Sequence, residues 1–210
     1  MDKDVGDITS EIWLLGDSNP RNWQDVLETP LDPRHPARHS IWTPVLYVIQ
    51  DKVYRSTRSR IDTSSVYIRN AIEDPSYKPP SNTTEWKPII ESEAEYLGDE
   101  VRKHTPIFLF SFGAFAFEFA RRGLGEKPKR RYSYWGSRKL GEEFRDRITT
   151  FDVSQPNLFP LLHVSIARGK FIESHEYFCG EVGANYFDYV GGLIAKLLVE
   201  YRDVLSIWIE

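Results

Sequence analysis

Ile12-Trp13-Leu14-Leu15-Gly16-Asp17-Ser18-Asn19-Pro20 is the stretch on which the fold turns. Its apolar run is continuous rather than alternating, so it reads as a strand buried on both faces. The run ends at Gly16, and the residues that follow favour a turn. Three more segments repeat this design. Val66-Tyr67-Ile68 runs into Arg69-Asn70, Ile107-Phe108-Leu109-Phe110 into Ser111-Phe112-Gly113, and Leu161-Leu162 into His163-Val164-Ser165.

Helical spacing fills the intervals between these strands. Trp42, Val45, Leu46, Ile49 and Val53 share one face of a helix that Thr43-Pro44 is suited to start. Ile90, Ala94, Leu97 and Val101 mark a second helix, running from Trp86 to Lys103. Ala114 to Arg122 is predicted as a third, with Gly123 as its C-cap. A polar helix is expected around Arg138 to Ile148, and a long C-terminal one around Tyr186, Val190, Leu193, Ile194, Leu197 and Tyr201. Val204 to Ile209 reads as a short fifth strand. Residues 17–36 are expected to be irregular, and Pro75, Pro79 and Pro80 forbid regular structure through most of 74–84.

Strands that alternate with helices and lack hairpin signals pair in parallel through right-handed crossovers. The expected fold is therefore an α/β three-layer α/β/α sandwich with a central, mainly parallel sheet of four to five strands. Its 210 residues suit one domain, 1–210, large enough to bury a core without staples.

Composition narrows the function classes. Apolar residues make up 40% and charged residues 28%, the balance of a soluble globular chain. No apolar run is long enough to span a bilayer, and Met1-Asp2-Lys3-Asp4 is not the start of a secretory signal, so a cytoplasmic monomer is expected. With Cys179 the only cysteine, no intrachain disulfide and no Cys-based zinc cage is available. His35 and His39 are separated by Pro36, which disfavours a helical metal pair, so no metal and no cofactor is expected. A net charge of −4 argues against non-specific coating of nucleic acid, yet leaves room for one local basic face. Lys127, Lys129, Arg130, Arg131, Arg138 and Lys139, interleaved with Tyr132, Tyr134 and Trp135, form such a cluster or a solvated loop. The aromatic share of 14% serves either a tightly filled core or a surface for stacking bases.

The strand-end segments carry the candidate chemistry. Gly16-Asp17-Ser18-Asn19-Pro20 is neither a P-loop nor a dinucleotide fingerprint, because the required Lys and Gly spacings are missing. It is either a plain turn or a turn that presents a polar side chain to a ligand. His163 is either a satisfied interior histidine or a donor in a site. His175 and Cys179 are a thin basis for a nucleophilic dyad. Glu91, Glu93 and Glu95 are expected on the wet side of their helix.

In order and local flavour these segments resemble the uracil-DNA glycosylase superfamily, over roughly residues 12–200. The first turn is similar to that family's Gly-x-Asp-Pro or Gly-x-Asn-Pro motif, Asn70 to the closing residue of its second strand, and His163-Val164-Ser165 to its His-Pro-Ser motif. Arg168-Gly169-Lys170-Phe171 resembles the Arg-Gly-x-Phe that follows in one branch. The resemblance implies hydrolysis of the N-glycosidic bond of uracil, or a related deaminated or mismatched base, flipped out of single- or double-stranded DNA. It implies that Asn19 places the attacking water, that Asn70 reads the base edge, and that His163 donates to the base as charge develops. Trp23 or Trp42 would stack on the base, and Ile166 would fill the gap in the duplex. Ser165, Arg168, Lys129, Arg130 and Arg131 would hold phosphates. The first motif has two registers. Anchored on Asn19-Pro20 it puts Asp17 where the family has Gly, and anchored on Gly16 it puts Ser18 in the catalytic slot. Asp17 is then a candidate carboxylate base. With Val164 in place of Pro, the alternative is a module that kept the pocket, lost the chemistry, and binds nucleotides, DNA or a protein.

Overall fold

The computed structural model describes residues 4–18, 26–30, 32, 34, 42–128, 131–167 and 172–209, with Val164 described by its backbone alone. Its centre is a five-stranded sheet in which β2 (Ile12–Gly16), β4 (Val66–Asn70), β5 (Phe108–Phe112) and β6 (Asn157–Leu161) run parallel. The order across the sheet is β1-β4-β2-β5-β6, where β1 (Asp4–Val5) is a short antiparallel edge on β4. Residues Trp13, Leu14 and Leu15 are all but inaccessible, as a continuous apolar run sandwiched between helices must be.

Helix α1 (Thr43–Thr57) packs on α7 (Tyr186–Glu200), and α2 (Pro88–His104) on α3 (Ala114–Gly123). Side-chain alternation assigns them to opposite faces of the sheet. Ile12, Val66, Phe108 and Phe110 meet Ile49 of α1 and Ile194 and Leu198 of α7. Trp13 and Arg69, on the other face, meet His104 and Glu93 of α2. Helix α4 (Ser137–Thr149) packs on β6 and on α6 (Ile172–Cys179), which follows the short α5 (Val164–Ala167). This is the α/β/α sandwich predicted from the strand and helix patterns. Val45, Ile49 and Val53 are buried on the face that their spacing assigned.

Aromatic residues supply most of the largest side chains in this interior. Phe108 stacks on Phe110, Phe151 and Phe159 at 5.3 to 6.2 Å. Trp135, expected within a basic surface cluster, is instead buried, and its indole N–H donates to Glu118 Oε2 at 2.6 Å. Lys139 of that cluster is neutralised by Glu142 at 2.6 Å.

Other expectations change for local reasons. The C-terminal strand is β7 (Trp208–Ile209), which pairs antiparallel with β3 (Arg60–Ile61) in a separate ribbon and not in the central sheet. Gly123 lies inside α3, and the glycine that turns the chain left-handed is Gly125. Gly123 serves helix contact: a Cβ built on Gly98 of α2 would sit 1.9 Å from the Gly123 carbonyl oxygen. Glu91 and Glu93 do not simply face water, since Glu91 pairs with Arg122 and Glu93 with the buried Arg69 at 3.4 Å. Among the described residues, no helix is long and apolar enough to cross a membrane.

Candidate active site

The four parallel strands end on one rim, at Gly16, Asn70, Phe112 and Leu161. From β2 the chain crosses to β4 on one side, and from β4 it returns past β2 to β5 on the other. The carboxyl ends of β2 and β5, where the chain reverses in this way, are the place where open α/β sheets bind ligands. Asp17 follows β2 and Gly113 follows β5 directly, and His163 lies two residues beyond the end of β6.

Gly16 and Asn70 are partners in register, and Asn70 is buried. A Cβ on Gly16 would lie 2.4 Å from Asn70 Oδ1, so glycine is required for the amide to lie there. The two loops leaving the strands are tied by the Ala71 N–H on the Gly16 carbonyl, 2.9 Å, and the Ile72 N–H on the Asp17 carbonyl, 3.2 Å.

Asp17 accepts an ion-paired hydrogen bond on Oδ2 from Lys78 Nζ. Its Oδ1 is buried with no partner among the described residues. A carboxylate oxygen left in that state is costly, and such atoms in folded proteins call for a functional account. Sequence reasoning missed Lys78. It follows a 3-10 turn, Pro75–Tyr77, that Asp74 caps through a 2.7 Å bond from the Ser76 N–H. The available signal was a cation in the proline-bound stretch leaving β4, since that stretch begins at the rim.

His163 stands opposite. Ser165 donates to its Nδ1 twice, from the backbone N–H at 3.2 Å and from Oγ at 2.9 Å. A backbone N–H can only donate, so Nδ1 must be the unprotonated nitrogen and the neutral ring carries its proton on Nε2. Burial holds the ring below the usual histidine range of 6.5; Asp17 opposes this and Lys78 adds to it. At neutral pH the ring is therefore an uncharged donor. Behind it, His175 donates from Nε2 to the Ala167 carbonyl at 3.0 Å, which pins α5. Burial pushes the Cys179 thiol up to about 11, which removes it as a nucleophile near neutral pH.

The other site candidates are placed as follows. Ser165 is exposed and engaged with His163, whereas Ile166 is half-buried and packs on the core. Trp42 packs edge-on to Phe112 at 6.1 Å and against Phe110 at 6.4 Å, beneath the rim on the α1 face. Arg131 is exposed at the start of the Tyr132–Tyr134 turn. Asn19, Trp23, Lys129, Arg130 and Arg168 lie outside the described residues, as do His35 and His39. Among the described residues, no group of three or more His, Cys, Asp or Glu side chains is placed to hold a metal ion.

The structure thus brings together a carboxylate, a buried amide and a neutral imidazole donor on one rim. Compared with models of known protein families and with curated proteins, the chain matches none.

Proposed function

We propose that this protein is a DNA glycosylase that hydrolyses the N-glycosidic bond of uracil, or of a related deaminated or mismatched base, extruded from DNA. The observation that carries this reading is the state of His163, whose Nδ1 is occupied by Ser165 so that a neutral Nε2–H is left as donor. As the bond from the sugar C1′ to the base nitrogen breaks, its electron pair leaves with the base, and charge develops on the base carbonyl oxygen. A preorganised neutral donor stabilises that charge without first losing a proton, and such donors are usually the largest single contribution to rate. Asp17 supplies the complementary function through Oδ1, accepting a hydrogen bond from the water whose oxygen bonds to C1′. The water's proton ends on the departed base. Asn70, buried at the tip of β4, carries an amide with both donor and acceptor, the chemistry that a base edge pairs with.

A second reading, a pocket that binds without hydrolysing, is favoured by one observation: Asp17 is already neutralised by Lys78. One experiment separates the two. Free base is measured from oligonucleotides carrying uracil or hypoxanthine, single-stranded and in mismatched duplexes, at low salt so that weak phosphate contacts persist. Release that disappears in His163→Ala supports the glycosylase. Binding that survives His163→Ala, with no product at long times, supports the silent pocket.

A further inference from the structure

Lys78 is held from three sides. Its Nζ pairs with Asp17, lies 5.2 Å from the Phe115 ring centroid and lies 5.7 Å from that of Tyr132. The two rings touch each other at 5.4 Å, and the Tyr132 hydroxyl donates to the Pro79 carbonyl at 3.1 Å, one residue beyond Lys78. Aromatic faces and a carboxylate both attract a cation, so the side chain is anchored there rather than left to roam in solvent. A fixed positive charge placed there occupies one carboxylate oxygen and fixes the rotation of the carboxylate.

We infer that Lys78, seated between Phe115 and Tyr132, is the positioning residue for Asp17, holding Oδ2 so that Oδ1 alone remains to take the attacking water. The inference rests on the glycosylase reading of the site, and it explains why Oδ1 is the carboxylate oxygen without a partner among the described residues. It also gives the proline-bound segment 75–80 a role, since Pro79 and the Asp74-capped turn on either side hold Lys78 in reach of the rim.

The test has two arms on the full chain. In the first, the imidazole of His163 is titrated by NMR in the wild type, Lys78→Met and Asp17→Asn. Among the described residues, Lys78 and Asp17, from different loops, are the charges that act on this ring, and they do so in opposite directions. Removing the lysine is expected to move the His163 midpoint up, and removing the carboxylate to move it down, with the melting temperature of each variant recorded. In the second arm, base release by Lys78→Met is expected to lose about 100-fold in kcat with KM little changed, the cost of a misplaced reacting group. Lys78→Arg is expected to recover most of that loss. Where Lys78→Met fails to fold, Lys78→Gln repeats both arms. A His163 midpoint unmoved in folded Lys78→Met, or wild-type base release by that variant, overturns the inference. Should the wild type release no base from any substrate, the glycosylase reading fails, and the His163 titrations still decide whether Lys78 sets the charge and geometry of this rim.

Discussion

Gly113 lies directly against His163: a Cβ built on Gly113 would sit 2.7 Å from the His163 Cβ and 3.4 Å from its ring carbons. Gly113 also has φ +92°, a conformation that favours glycine, at the junction where β5 turns into α3. The tip of one strand therefore sets the position of the imidazole at the tip of the next. Gly113→Ala is expected to lower stability by about 1–3 kcal/mol through the strained backbone and to displace the ring. Thermal unfolding followed by circular dichroism measures the first effect, and the His163 NMR signals report the second.

Protonation of His163 links pH to stability. Because burial holds the folded ring below the unfolded value of 6.5, the unfolded chain binds a proton that the native chain refuses. Stability is expected to fall as pH drops from 6.5 towards the folded midpoint, and the slope ends below that midpoint. Urea denaturation at stepped pH checks this. His163→Gln should remove this part of the slope, and an unchanged slope would contradict the assignment.

Much of the fold was legible because its strands are continuous apolar runs and its helices keep one face apolar. What was not legible follows from the same physics. Strand β1 has only two residues and carries Asp4, so its place is set by backbone pairing and by the Tyr67 hydroxyl donating to Asp4 at 2.9 Å, neither of which leaves a hydropathy pattern. Gly123 resembles a cap until the neighbouring helix is present, since its role is to admit Gly98. At the site, Asp17, Asn70 and His163 were readable as polar residues ending apolar strands. Lys78 was not, because its partner lies 61 residues away in sequence and the pairing exists only once the rim has formed.

The contact between helices α2 and α3 gives a sharper stability test. Gly98→Ala places a methyl carbon 1.9 Å from the Gly123 carbonyl oxygen, a backbone atom that cannot swing aside. The helices must separate, and overpacking of this kind costs about 1–3 kcal/mol or more. Chemical denaturation of Gly98→Ala measures it, and wild-type stability would show that the two helices are not so closely apposed.

Glu118 is wholly buried and satisfies Arg121 at 3.1 Å and Arg122 at 3.4 Å besides the Trp135 indole. Glu118→Leu removes the carboxylate from groups that stay buried, and a loss of about 3–5 kcal/mol is expected. Trp135 fluorescence should change with it. Because the turn Tyr132–Tyr134 precedes Trp135 directly, base release is expected to fall even at temperatures where the variant remains folded.

The most direct test of the proposed chemistry is single-turnover release of free uracil from a uracil-containing oligonucleotide by the wild type, Asp17→Asn and His163→Ala. The account predicts release by the wild type, leaving an intact strand with an abasic site, and loss in both variants with the fold preserved. Equal release by His163→Ala and the wild type, or none by the wild type from uracil, hypoxanthine or mismatched substrates, would contradict it.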